Sequence, residues 1–361
     1  MRACGAMHHF ARCLASKGTI FSFVRGLRQF SLLPYRLSKR EATMKSSSLL
    51  HVTVSAVRRE ARHIVSLELR PRTGEALPVF EPGAHIDLHL APDLVRSYSL
   101  LNPDTEGDRY RIAVLNDRNS RGGSRHVHER LAVGSMLDIS PPRNHFPLNA
   151  DASRSVLLAG GIGITPILAM HERLAALGKP ASLLYCARSR PEAAFCERLG
   201  SSRNVSFHFD EEQGRPPDLR DFLAREPAAS DFYCCGPAPM IAAFERICEE
   251  LGFRKVHVER FAADAGGGVS RQQHPYTVTL TRTGRTLAVQ PGVALLDALH
   301  KAGIDADCGC REGVCRACET RVLEGIPAHR DSVLSSEERA SNRTMMVCVS
   351  GCVGEHLVLD L

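Results

Sequence analysis

No stretch of the 361-residue chain approaches the roughly 18 consecutive apolar residues of a membrane-spanning helix, which excludes a transmembrane protein. Internal repeats are absent too. A basic face for nucleic acid is also lacking once the formal charge of +6 is located. Residues 1–43 hold eight Lys/Arg and one acid, Glu41, whereas the other 318 residues hold 38 bases and 39 acids. A body that is nearly neutral offers no electrostatic footprint for a polyanion. Charged residues at 24% and hydrophobic ones at 43% exclude wholesale disorder, and the length predicts two or three compact units. Cysteine, by contrast, is plentiful, at thirteen residues. Disulfide scaffolds are short secreted chains, so thiols in a chain of this length predict a reducing, cytoplasmic setting and metal or redox chemistry.

The composition divides the chain. Residues 1–44 are Arg-rich and nearly acid-free; they read as a disordered or spurious extension, with a transit peptide as the alternative and Met44 as a candidate start. Residues 45–148 read as a small antiparallel β-barrel, with short strands at Leu49–Val57, Ile64–Leu69, His85–Leu90, Arg96–Leu101, Tyr110–Leu115 and Met136–Ile139 separated by Pro/Gly turns. In residues 149–261, strands at Ser155–Ala159, Ser182–Ala187, Val205–Phe209, Asp231–Cys235 and Val256–Glu259 alternate with helical stretches, Pro166–Leu177 and Pro239–Leu251 among them. That alternation predicts a doubly wound parallel sheet. Residues 262–274 read as a Gly-rich linker, and residues 275–361 as a small α+β unit built around a cysteine loop.

That loop carries the most specific signal. Cys310, Cys315, Cys318 and Cys348 have the C-x4-C-x2-C…C spacing of plant-type [2Fe–2S] sites. Two irons need four thiolates, and one wrapping loop supplies three. Structural zinc prefers two short Cys pairs, of which only Cys315/Cys318 qualifies. Cys308 fits the spacing poorly, and it is read, with Cys352, as a spectator.

In the α/β unit, the strand ending at Ala159 runs into Gly160, Gly161, Gly163, Thr165 and Pro166 and then a helix. Strand, glycine turn and helix start are what a pyrophosphate requires, because glycines admit close backbone approach and the helix N-terminus offers free N–H groups. Thr165 is read as the N-cap. At the tip of the second strand no acid awaits a ribose, while Arg188 and Arg190 suit a 2′-phosphate, so NAD and NADP remain open on chemistry alone. The fourth strand ends at Cys235, Gly236 and Pro237, which places Cys235 beside the nicotinamide position at the sheet's carboxyl edge. In the barrel, Arg96 and Tyr98 lie two apart on a strand and suit a phosphorylated planar ligand. Gly122, Gly123 and Ser124 open a second helix of the phosphate-binding kind.

Together the motifs resemble one family, phthalate dioxygenase reductase and the vanillate O-demethylase oxidoreductases, over about residues 45–361. The R-x-Y-S motif matches Arg96, Tyr98 and Ser99; G-G-S matches Gly122–Ser124; P-R-N-x-F-P-L matches Pro142–Leu148; C-G-P matches Cys235–Pro237; and His329–Leu334 matches as well. The resemblance implies a flavin barrel, an NAD domain and a β-grasp ferredoxin domain. It further implies NADH (NADPH possible) reducing FMN, which passes electrons singly to the [2Fe–2S] cluster and on to a Rieske-type oxygenase met transiently by a monomer. In that implied scheme Tyr98 packs on the flavin ring, Ser99 and Cys235 flank the reacting atoms, and Arg96 with Ser124 holds the phosphate. A redox sensor, or a reductase for another acceptor such as a cytochrome P450, are the competing readings. One residue departs from the family's pattern: Arg316 stands where glycine usually follows the second cluster cysteine.

Overall fold

The computed structural model describes residues 49–361 apart from 93, 103–106, 119, 201 and 263–273; the N-terminal extension and most of the proposed linker therefore lie outside the described residues. The first sheet is antiparallel throughout. Its strands are β1 (Leu50–Ala61), β2 (Ile64–Pro71), β3 (Ala84–Ala91), β4 (Leu94–Ser99), β5 (Tyr110–Leu115), β6 (Met136–Ile139) and the short β7 (Arg143–Asn144). They run in the order β4-β3-β6-β1-β2-β5, with β7 beside β3. Inward-facing Val52, Val54, Leu67, Leu69, Ile86, Leu88 and Ile112 fill the interior, as period-2 alternation requires. β4 ends two residues earlier than its sequence pattern predicts. The chain peels away there, and the Leu101 N–H donates to the Arg111 carbonyl (3.0 Å), bringing the chain just past β4 against β5. Helix α1 (Gly123–Arg130) follows β5.

The second sheet is wholly parallel: β8 (Ser155–Gly160), β9 (Ala181–Ala187), β10 (Val205–Phe209), β11 (Asp231–Cys235) and β12 (Val256–Glu259), in the order β10-β9-β8-β11-β12. Crossing helices include α2 (Ile164–Ala176) and, after three short helices, α3 (Cys196–Leu199), α4 (Asp210–Gln213) and α5 (Leu219–Ala224), the long α6 (Ala238–Glu250). Strand order reverses between β8 and its two neighbours, so the carboxyl ends of β8 and β11 border the crevice where such sheets bind ligands. The first and second sheets share one core, in which Ile64, Leu101, Ala113 and Phe146 pack with Leu157, Ile164 and Tyr233. Phe146 meets Tyr233 edge-on at 5.7 Å, which gives the P-R-N-x-F-P-L segment its physical job as the joint between two sheets.

The third sheet has the order β14-β13-β19-β15-β17, from β13 (Tyr276–Leu280), β14 (Arg285–Val289), β15 (Glu319–Glu324), β17 (Thr344–Met346) and β19 (His356–Leu359). The central pair β13/β19 is parallel and the other pairs are antiparallel. Helix α7 (Leu295–Lys301) packs Leu295, Leu296 and Leu299 onto it. A two-residue ladder, β16 (Pro327–Ala328) with β18 (Gly351–Cys352), and helix α8 (Ser336–Ser341) complete the unit. Antiparallel, doubly wound parallel and α+β sheets thus follow one another as the sequence predicts. Among the described residues no helix is long and apolar enough to cross a membrane.

Candidate functional site

A cleft of about 540 Å³ opens where the first two sheets meet the cysteine loop. The first sheet contributes Arg96, Tyr98 and Ser99 of β4 and Ser124 of α1; the second contributes Thr165 and Glu259; the cysteine loop contributes Cys310, Glu312 and Cys315. A larger cleft of about 750 Å³, between β1/β2 and residues 190–198, holds none of the β4, α1 or cysteine-loop motif residues. Convergence of motifs, not size, marks the first as the candidate site.

In the first sheet, Gly122 caps α1 in the left-handed conformation (φ 95°), and Gly123 lies against the Arg96 side chain. Arg96 is anchored by donating to the carbonyls of Val95 (2.7 Å) and Arg121 (3.0 Å). The Ser124 hydroxyl accepts from the Asp117 N–H at 3.2 Å. A guanidinium and a helix start therefore share one wall, which is the chemistry of a phosphate cradle. Burial pushes the Tyr98 phenol up to about 12, only partly offset by Arg96, so Tyr98 presents a neutral aromatic face.

In the second sheet the glycine turn works by contact. A Cβ on Gly163 would lie 2.5 Å from the carbonyl carbon of Cys235, and one on Gly236 would lie 3.1 Å from the Gly160 Cα, so the ends of β8 and β11 touch backbone to backbone. Residues Gly161–Gly163 form a 3-10 turn that runs straight into α2, so Gly163 is the N-cap and Thr165 sits two residues further in, within the first turn. The Thr165 hydroxyl donates back to the Ile162 carbonyl (3.1 Å), which corrects the N-cap expectation. Arg188 and Arg190 are both exposed, and Arg190 pairs with Glu212 (3.0 Å) and stands 4.5 Å over the Phe209 ring. Cys235 is fully buried and does not line the cleft. Burial, with Glu259 adding to it, holds its thiol well above the ordinary range, so it stays protonated.

In the third unit Cys310, Cys315, Cys318 and Cys348 are all buried. Their thiols meet in two pairs. Hydrogen bonding from Cys315 lowers Cys310 to about 6, aided by the N–H groups of Val314, Glu312 and Cys315, while Cys318 is the partner that raises Cys348. Two terminal thiolates per iron is the arrangement a two-iron cluster needs. Among the described residues no group of three or more His, Cys, Asp or Glu is set to hold a single metal ion. The first pair faces the cleft and the second belongs to the domain core. Gly313 is left-handed (φ 71°), and a Cβ there would press on the Asp331 backbone at 2.9 Å. Arg316 is also left-handed (φ 54°), the backbone a glycine adopts without strain. Its guanidinium donates to Glu338 (2.7 Å) and to the Val333 carbonyl (3.1 Å), contacts that offset the strain and lash the loop to α8. The loop also touches the segment between β5 and α1 through an Arg121–Glu312 ion pair of 2.6 Å.

Sequence reasoning missed Glu259. Its oxygen Oε2 is buried without a partner, and burial raises the carboxyl to about 8. A carboxyl raised on folding stabilises the fold below its unfolded value near 4.5 and loses that contribution as pH rises toward about 8. Glu259→Gln is therefore expected to melt near the wild-type temperature at pH 5 and above it at pH 8. Equal melting temperatures at pH 8 would show that Glu259 is ionised without penalty.

Residues 278–352, which include all four cluster-spaced cysteines, match the family described as the 2Fe-2S iron-sulfur cluster binding domain. The phenoxybenzoate dioxygenase subunit beta of Ectopseudomonas oleovorans is 43% identical over 321 residues, covering 89% of this chain and 99% of its own. A vanillate O-demethylase oxidoreductase of a Pseudomonas strain is 41% identical, covering 87% and 100%. The chain belongs to the phthalate dioxygenase reductase and vanillate O-demethylase oxidoreductase family. Among solved structures, phthalate dioxygenase reductase, described as modular for electron transfer from pyridine nucleotides to [2Fe-2S], superposes with TM-score 0.66 at 34% identity, covering 87% and 98%. An intact type IV self-sufficient cytochrome P450 monooxygenase aligns with TM-score 0.79 at 38% identity; this chain covers only 41% of that protein. Membership in this oxidoreductase family bears out the resemblance read from the motifs.

Proposed function

We propose that the chain is the reductase component of a two-component Rieske-type aromatic oxygenase, taking electrons from NADH through FMN to a [2Fe–2S] cluster. The observation that carries this reading is the single cleft bounded by the Tyr98/Ser99 strand, the edge of the parallel sheet and the Cys310/Cys315 pair. Nicotinamide gives two electrons at once and an iron–sulfur cluster takes one; a flavin between them does both.

The residues divide the work. Arg96, Gly122, Gly123 and Ser124 hold one phosphate, which favours FMN over FAD, while Tyr98 and Ser99 face the flavin ring. Gly160, Gly161, Gly163 and Thr165 receive the pyrophosphate, Gly236 and Pro237 shape the nicotinamide position, and Cys235 supports that wall from behind. Arg188 is the cation available to a 2′-phosphate, so NADPH remains a candidate donor. Cys310, Cys315, Cys318 and Cys348 hold the cluster. In this reading residues 45–148, 149–261 and 275–361 are the flavin, NAD and ferredoxin domains, and a cytoplasmic monomer meets its oxygenase transiently, as small electron-transfer interfaces allow.

Purified protein is expected to show flavin and iron–sulfur absorbance that bleaches on adding NADH, and heat should release FMN. It should reduce cytochrome c or ferricyanide yet leave vanillate and phthalate unchanged until an oxygenase is added. Hydroxylation or demethylation by the isolated chain would overturn the assignment. A cytochrome P450 as acceptor has an observation of its own, the aligned region of the self-sufficient monooxygenase, and electron delivery to a P450 but to no Rieske oxygenase would decide for it.

A further inference from the structure

The cleft contains a histidine that no motif accounts for. Antiparallel register sets His85 of β3 directly opposite Ser99 of β4, so their side chains share one face at the closest cross-strand spacing. Both residues line the cleft, and both carry a buried side-chain atom without a partner, His85 Nε2 and Ser99 Oγ. His85 is only 5% exposed, so the unpaired nitrogen is withheld from bulk water. An unpaired buried polar atom costs free energy unless something in the cleft meets it.

The surroundings fix the ring's charge. Two residues along β3, Asp87 is 2% exposed and accepts from Ser97 (2.6 Å) and from Arg143 (2.5 Å). Arg143 stands opposite His85 across the β3/β7 ladder, and the His145 ring lies 5.5 Å from that of His85. Burial first, then Arg143 and His145, outweigh Asp87 and lower His85 to about 4. The imidazole is therefore neutral at physiological pH. A neutral ring both donates and accepts, whereas a protonated one only donates. The polar edge of an isoalloxazine ring presents both carbonyl acceptors and an N–H donor, which a neutral imidazole suits.

We propose that His85, side by side with Ser99, is a binding residue for the polar edge of the flavin ring, with Nε2 as the contacting atom. This rests on the flavin reading above and adds a residue to it. The same strand also meets the cysteine loop: a Cβ on Gly309 would lie 2.9 Å from the Asp87 carboxylate. His85 thus sits on the wall between the flavin position and the loop that carries Cys310.

The test uses the full-length holoprotein with FMN as probe. Three forms are compared, wild type, His85→Leu and His85→Gln, by FMN dissociation followed through flavin fluorescence and by the flavin midpoint potential. Cluster absorbance and melting temperature report the fold. Loss of one buried hydrogen bond predicts FMN binding about tenfold weaker in His85→Leu, with cluster content unchanged. His85→Gln, which keeps a donor and an acceptor, should bind within about threefold of wild type but with a shifted flavin potential. Wild-type affinity and potential in both variants would overturn the proposal and leave His85 as the partner of a water. If His85→Leu does not fold, the potential of His85→Gln decides: a shift supports the contact and an unchanged value overturns it. Wild-type protein that carries and binds no flavin would instead overturn the flavin reading itself.

Discussion

Cys315→Ala is expected to accept electrons from NADH yet fail to deliver them, with cytochrome c reduction falling by roughly a hundredfold or more while bleaching of the flavin band persists. The reasoning is local. Cys315 is buried, hydrogen-bonds Cys310 and lines the cleft with it, so its loss removes half of the thiol pair nearest the flavin position. The second pair, Cys318 with Cys348, belongs to the hydrophobic core of the third unit and is predicted to lose iron and sulfide just as completely when either is replaced. Iron and sulfide at wild-type stoichiometry in Cys315→Ala would remove that residue from the ligand set. The reverse pattern, flavin reduction lost and cluster intact, would mean that the nicotinamide site had been disturbed instead.

Gly163→Val should have the opposite signature. The new side chain enters the space of the Cys235 carbonyl, in backbone that neither β8 nor β11 can yield without breaking parallel pairing. Overpacking of this kind costs about 1–3 kcal/mol, and the displaced turn no longer offers its N–H groups to a pyrophosphate. Reduction of the flavin by NADH should fall steeply, while chemical reduction by dithionite and the cluster's spectrum survive. A wild-type KM for NADH in a folded Gly163→Val protein would show that the turn is structural only.

Much of this could be read along the chain. β5, β6, β10, β11 and β12 follow from apolar runs bounded by turn residues, because a strand's two-residue period is a local property. Cluster spacing is legible for a related reason: three of the four thiols sit in one loop, where sequence separation bounds their distance in space. Misreadings arise where a neighbour overrules local preference. Thr165 has a good capping side chain, but a 3-10 turn begins the helical path earlier and leaves Gly163 as the cap. Cys235 sits at a strand's carboxyl end as the sequence predicts, and what only the packing shows is that the glycine turn lies against its backbone and its side chain is fully buried.

The sequence by itself determined the three sheet types, their order, the cysteine spacing and the two glycine turns, since each depends on residues a few positions apart. Only the tertiary structure decided that these features face one cleft. His85 reaches Ser99 through β3/β4 register, Glu259 arrives from the last strand of the parallel sheet, and Arg121 meets Glu312 across 191 positions. Arg316 shows the same division in one residue. Its departure from glycine is visible in the sequence, but the contacts to Val333 and Glu338 that let an arginine occupy a left-handed backbone exist only once α8 has packed beside the loop. Burial, charge pairing and contact between distant segments are properties of the assembled chain, and they set the pKa of Glu259 and the neutrality of His85.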